Sequence, residues 1–175
     1  MQELIDDNVC CSFNEGLDFR ELTDNKAKLL SKLNYYPSEY VFAFDNINYL
    51  PLIIKKHALL KKYFPKDWKI KFYCYVNAEM PIQDTVKRIK WCKQNKVLPY
   101  LMRDKNCWAS KNKEFYNNLA AYCNQPAIFK KMDFNKDFIE KRTKNIDTQN
   151  KCKQLWRENE NINRLRGKPR SMQSI

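Results

Sequence analysis

An α/β fold of about four βα units, wound as a parallel half-barrel with a basic C-terminal tail, is what this sequence predicts. Three observations point there. Four short apolar runs, at 8–13, 40–45, 69–76 and 97–102, begin roughly thirty residues apart. Each run is almost continuously apolar, as a strand buried on both faces requires. Each is followed by a segment with helical spacing, which is the order of a right-handed βα crossover.

The first unit is "NVCCSF", then polar "NEGLDFRELTD", then "NKAKLLSKL", with Ala27, Leu29, Leu30 and Leu33 at helical spacing. Thr23 or Asp24 supplies the N-cap. The second begins with "YVFAFD" and turns helical from about Pro51. The third is "KIKFYCYV", followed by a helix from Pro81, a residue suited to a first turn because its missing N–H is not needed there. The fourth is "VLPYLM", then "RDKNCWAS" and the helix "KNKEFYNNLAAYC". "QPAIFKKMDFNKDF" then reads as a short strand and a turn. These units make a βα domain over 1–132, with 133–175 as a helical or disordered basic extension.

Composition excludes several classes. No run approaches the ~20 apolar residues of a membrane span. The acidic start "MQELIDDNVC" is unlike a signal peptide, so a cytoplasmic protein is expected. Seven cysteines occur without a Cys-x-x-Cys pair and read as reduced, structural thiols. His57 is the only histidine, which excludes a histidine-rich zinc site, and its basic surroundings predict a solvated side chain. The net charge is +13, and 141–170 alone carries ten Lys or Arg against three Asp or Glu. Such a run is either a solvated extension or a surface for nucleic acid, with Trp156 available to stack on a base.

In a parallel sheet, ligands gather at the carboxyl ends of the strands. Those ends carry Asn14, Glu15 and Asp18, then Asp45 and Asn46, then Asn77 and Glu79, then Arg103 and Asp104. Four motifs in this order, "NEGLDFRELTD", "FAFDN", "YCYVN…DTVKRI" and "PYLMRDKN", resemble the later strands of radical S-adenosylmethionine proteins, particularly short bacterial and phage-type members. The likeness spans about 8–131. It implies a partial barrel that binds S-adenosylmethionine, with Gly16, Asp18, Arg20, Asp45, Asn77, Arg88, Met102 and Asp104 on the cofactor side. Gly16 would also permit positive φ and a close backbone approach. A local ion pair is the other reading of Asp18 and Arg20, and the basic outer face of a helix that of Arg88.

The family's 4Fe–4S cluster needs a Cys-x-x-x-Cys-x-x-Cys segment, and this sequence has none. Asn77 stands where relatives often carry glycine. The expectation is therefore the C-terminal portion of a radical enzyme, inactive unless another chain supplies the cluster ligands. A basic module binding nucleic acid through its tail, or an inactive remnant, are the alternatives. An exposed strand edge at 8–13 would invite the missing half or a second copy.

Overall fold

The computed structural model describes residues 1–13, 15–36 and 39–166, with side chains to 157. At its centre lies a three-stranded parallel sheet of β1 (Tyr40–Ala43), β2 (Ile70–Val76) and β3 (Leu98–Arg103), in the order β1-β2-β3. The helices, in chain order, are α1 (Gln2–Asp6), α2 (Asp24–Leu30), α3 (Leu50–Lys61), α4 (Ile82–Gln94), α5 (Asn106–Ala109), α6 (Lys113–Cys123), α7 (Pro126–Lys131), α8 (Ile139–Arg142) and α9 (Ile146–Arg166).

Period-two alternation in β2 sorts its side chains. Ile70, Phe72, Cys74 and Val76 are buried, whereas Lys71, Tyr73 and Tyr75 are half-buried. The buried face carries the crossover helices. Trp91 of α4 meets Phe44 and Phe72 edge-on, and His57 of α3 meets Trp91 edge-on as well, at 5.3 Å. Both helices thus cover one side of the sheet, as successive right-handed crossovers between neighbouring strands require. His57 is therefore half-buried against an indole and not solvated.

The expected strand at 8–13 is absent. Cys11 makes one isolated bridge to Tyr35, and Val9 and Cys10 are exposed. Cys11 and Phe13 pack only partly against the core, so the run lacks the two covered faces that a buried parallel strand needs. The neighbour of β1 is instead Leu17, whose N–H donates to the Val41 carbonyl at 2.8 Å and whose carbonyl accepts from the Ala43 N–H at 3.3 Å. Gly16 makes this possible. A Cβ there would lie 3.2 Å from the Phe42 carbonyl carbon and the Ala43 nitrogen. Its φ is not positive, so close approach alone accounts for the glycine.

The opposite edge is closed by a side chain. The Asn124 Oδ1 accepts from the Leu101 N–H at 2.7 Å, and its Nδ2 donates to the Leu101 carbonyl at 3.1 Å. Pro99, two residues earlier on the same edge, has no N–H to offer. These two residues remove most of the template on which another strand would pair.

The segment 125–138 is helical, not a strand: α7 starts at Pro126, and Phe134–Phe138 forms a single π-type turn. Phe134, Phe138, Ile139, Cys152 and Trp156 all belong to the central core. Trp156 stacks on Phe134 with ring centroids 4.7 Å apart and is no platform for a base. Asn14, the side chains from 158 on and the segment 167–175, which hold the tail's last arginines, lie outside the described residues. Among those described, no helix is long and apolar enough to cross a membrane.

Candidate functional site at the carboxyl ends of the strands

The sheet face away from α3 and α4 is built by the alternate residues of each strand. Register places Ala43 beside Tyr73, Tyr73 beside Tyr100, and Tyr75 beside Met102. The Tyr73 and Tyr100 rings lie 5.5 Å apart, and Tyr100 keeps 43% of its surface in solvent. Met102 is exposed as well. The result is an open patch of two tyrosine rings and a thioether on rigid strands. At the amino end of this face Lys71 pairs with Glu39 at 3.7 Å.

At the carboxyl end the face is rimmed by polar groups that hold one another. The Asp45 Oδ1 accepts from the Tyr75 N–H at 2.8 Å, joining β1 to β2 beyond the last strand pair. The Tyr75 hydroxyl donates to Asp104 Oδ2 at 2.6 Å, and Asp104 Oδ1 accepts from the Asn106 N–H at 3.0 Å. The Asn106 Oδ1 takes the Ala78 N–H at 2.9 Å, and Asn77 Oδ1 takes the Glu79 N–H at 2.7 Å. The Tyr75 hydroxyl, followed by the Asn106 N–H, holds the Asp104 carboxyl below the usual carboxylate range. The same bond, which favours the protonated phenol, raises Tyr75. Asp104 therefore stays an anion and keeps lone pairs free to accept from a ligand hydroxyl.

Arg88 underlies this rim. It is fully buried on α4; its Nη1 donates to the Phe44 carbonyl at 2.6 Å and its Nη2 to the Tyr75 carbonyl at 3.1 Å and Thr85 Oγ1 at 3.3 Å. One guanidinium thus ties the carboxyl ends of β1 and β2 to the helix beneath. The reading of Arg88 as part of a solvated outer face gives way to a buried clamp beneath the rim.

Beyond β1, Gly16, Asp18, Arg20, Asp45, Asn46 and Tyr49 line a cavity of about 420 Å3. Asp18 and Arg20 form a fork, with Arg20 Nη2 2.7 Å and Nε 3.0 Å from Asp18 Oδ2. The Asp18 Oδ1 also accepts from the Arg20 N–H at 2.8 Å, capping a short 3-10 turn, Phe19–Glu21. This pairing holds Asp18 below its ordinary pKa, the Arg20 side chain being the chief cause. The guanidinium lies 5.5 Å from the centroid of the Tyr49 ring. The local ion pair is made, and it forms one wall of the cavity.

Of the eight candidate residues, Gly16, Asp18, Arg20 and Asp45 thus share one cavity, and Asn77, Met102 and Asp104 lie at the adjoining strand ends. Sequence reasoning missed Tyr73, Tyr75, Tyr100 and Asn106. Tyr73 and Tyr75 were visible at alternate positions of "KIKFYCYV" and Tyr100 in "VLPYLM", but counting tyrosine as apolar turns the alternation into a continuous run. Among the described residues no group of three or more His, Cys, Asp or Glu could hold a metal ion. Compared with protein-family models, with curated proteins and with solved structures, the chain finds no match in any of the three.

Proposed function

We propose that this chain forms the S-adenosylmethionine- and substrate-facing part of a radical S-adenosylmethionine barrel, with the cluster-bearing half lying outside this sequence. The open tyrosine face ending in the Asp45–Asp104 rim carries this reading. Strands in sequential order with their helices on one side make a wall segment of a βα barrel, and the uncovered face is then its interior.

The residues fit the nucleoside. Tyr100 and Tyr73 offer aromatic surface for an adenine, and Asp104 and Asp45 offer carboxylate oxygens for ribose hydroxyls. When bound, S-adenosylmethionine supplies a cationic sulfonium, a leaving group for one-electron cleavage. The residues do not fit a 4Fe–4S cluster. Cys74, Cys92, Cys107, Cys123 and Cys152 are buried and, among the described residues, belong to no metal-holding group, and burial pushes the Cys92 and Cys123 thiols well up, away from the thiolate a cluster needs. No reaction step belongs to this chain alone. Its part is to bind and orient.

Calorimetric titration with S-adenosylmethionine tests the reading. Saturable binding is expected, weakened at least tenfold in Tyr100→Ala and in Asp104→Asn, both of which alter solvent-accessible groups. Absence of binding heat, or variants that bind like the parent, would overturn it.

A further inference from the structure

A second cavity lies along the outer edge of β3, lined by α5, α6 and the turn between α8 and α9, with a volume of about 810 Å3. That is within the ~300–1,000 Å3 of small-molecule sites. Its lining is unlike that of the tyrosine face. Trp108 is 60% exposed, an unusual state for a large indole, and the Arg103 guanidinium lies 4.7 Å from its ring centroid. The Arg103 Nη1 donates to Asn117 Oδ1, a neutral amide, so its charge is oriented without being cancelled. Arg142 adds a second exposed cation across the cavity. Asn145 stands beside it, its Oδ1 engaged by the Thr148 N–H at 2.8 Å. Glu114 is the one carboxylate among the described lining residues.

We infer that this cavity binds a nucleoside phosphate, with the base on Trp108 and the phosphate between Arg103 and Arg142. The chemistry of the lining selects that class. A flat exposed indole takes a π-face, and arginine, whose planar fork matches phosphate oxygens, is held over it already. Asn117 and Asn145 supply amide groups that can meet a base edge. Two cations against one carboxylate favour an anion over a neutral nucleoside. The net charge of +13 raises the local concentration of any such anion. Because Arg103 follows Met102 within β3, the two side chains leave the strand on opposite sides, which separates this cavity from the tyrosine face.

Uridine 5′-monophosphate is the probe, since an adenine would also test the other site. It is titrated by calorimetry, with indole fluorescence in parallel; Trp91 and Trp156 are buried and Trp68 is half-buried against Phe129, so the part of a quench that Trp108→Leu abolishes reports on Trp108. Saturable binding is expected, weakened about tenfold by Arg142→Ala and by Trp108→Leu, with uridine and inorganic phosphate each binding at least tenfold more weakly. A ten-residue oligouridylate then identifies the source. Tighter binding that falls steeply with salt assigns a single strand, and affinity equal to that of the monophosphate assigns a free nucleotide. No saturable heat with either probe, or equal affinity in the Arg142→Ala and Trp108→Leu proteins, would overturn the assignment. Failure here leaves S-adenosylmethionine binding untouched, so the two proposals fail separately.

Discussion

Arg88 shows how much of this molecule depends on single side chains. A buried guanidinium is costly unless its donors find acceptors, and here Nη1 and Nη2 meet two backbone carbonyls at strand ends and the Thr85 hydroxyl, while Nε is buried without a partner among the described residues. Arg88→Ala would orphan both carbonyls and open a void, at a cost of about 3 kcal/mol. Arg88→Lys would not restore it, because an ammonium cannot span both acceptors in a fork. Urea denaturation of the two variants checks this, and a loss under about 1 kcal/mol in either would contradict the clamp. His57 offers a second test. Burial, then the nearby Lys61, depresses its pKa in the folded state, and Nε2 is buried without a hydrogen-bond partner among the described residues. The unfolded chain therefore binds a proton near pH 6.5 that the folded chain refuses. Stability is fully present above that pH and is lost as pH falls through the depressed value. As the sole histidine, His57 accounts for this limb, and His57→Phe is expected to flatten the stability profile between about pH 7 and 5. An unchanged slope would assign the limb to other groups.

At the scale of elements, the sheet was legible where its strands pair and illegible where it ends. "YVFAFD", "KIKFYCYV" and "VLPYLM" each hold a strand, since apolar runs bounded by polar clusters report burial directly. "NVCCSF" carries the same local signal and makes only an isolated bridge from Cys11 to Tyr35, because whether a partner strand lies alongside is not encoded in a local pattern. The edges are decided by single residues far away in sequence. Leu17 reaches β1 because Gly16 has no Cβ, and Asn124 reaches β3 from the end of α6. The side chain of Asn124 replaces a missing strand by presenting one acceptor and one donor to the same residue. Asn124→Ala should destabilise the fold by about 1–2 kcal/mol and speed amide exchange at Leu101 more than at residues of β2. Exchange unchanged at Leu101 would show that the amide bonds carry no weight. The candidate site was readable in part for the same reason. Asp45, Asn77 and Asp104 are placed by their position after strands, whereas the inward turn of Arg88 follows from which face of α4 is buried.

For the whole molecule, the basic tail is the clearest departure from composition. A charge-rich segment reads as solvated, yet the first turns of α9 set Cys152 and Trp156 into the core against α4 and α6. The Lys90 ammonium lies 5.3 Å from the Trp156 ring, so positive charge and indole are packed together. Trp156→Ala should cost about 3–5 kcal/mol, read as a fall in Tm. A Tm within a degree or two of the parent would mean that α9 is an appendage. The helices α3, α4, α6 and α9 thus pack into one core and leave open the tyrosine face, the surface proposed to bind S-adenosylmethionine. Nuclear magnetic resonance mapping of the isotopically labelled chain with S-adenosylmethionine tests that claim most directly. Saturable amide shifts confined to 43–46, 73–77 and 100–106 are the predicted result. Shifts absent from these strand ends, or concentrated on α9, would contradict it.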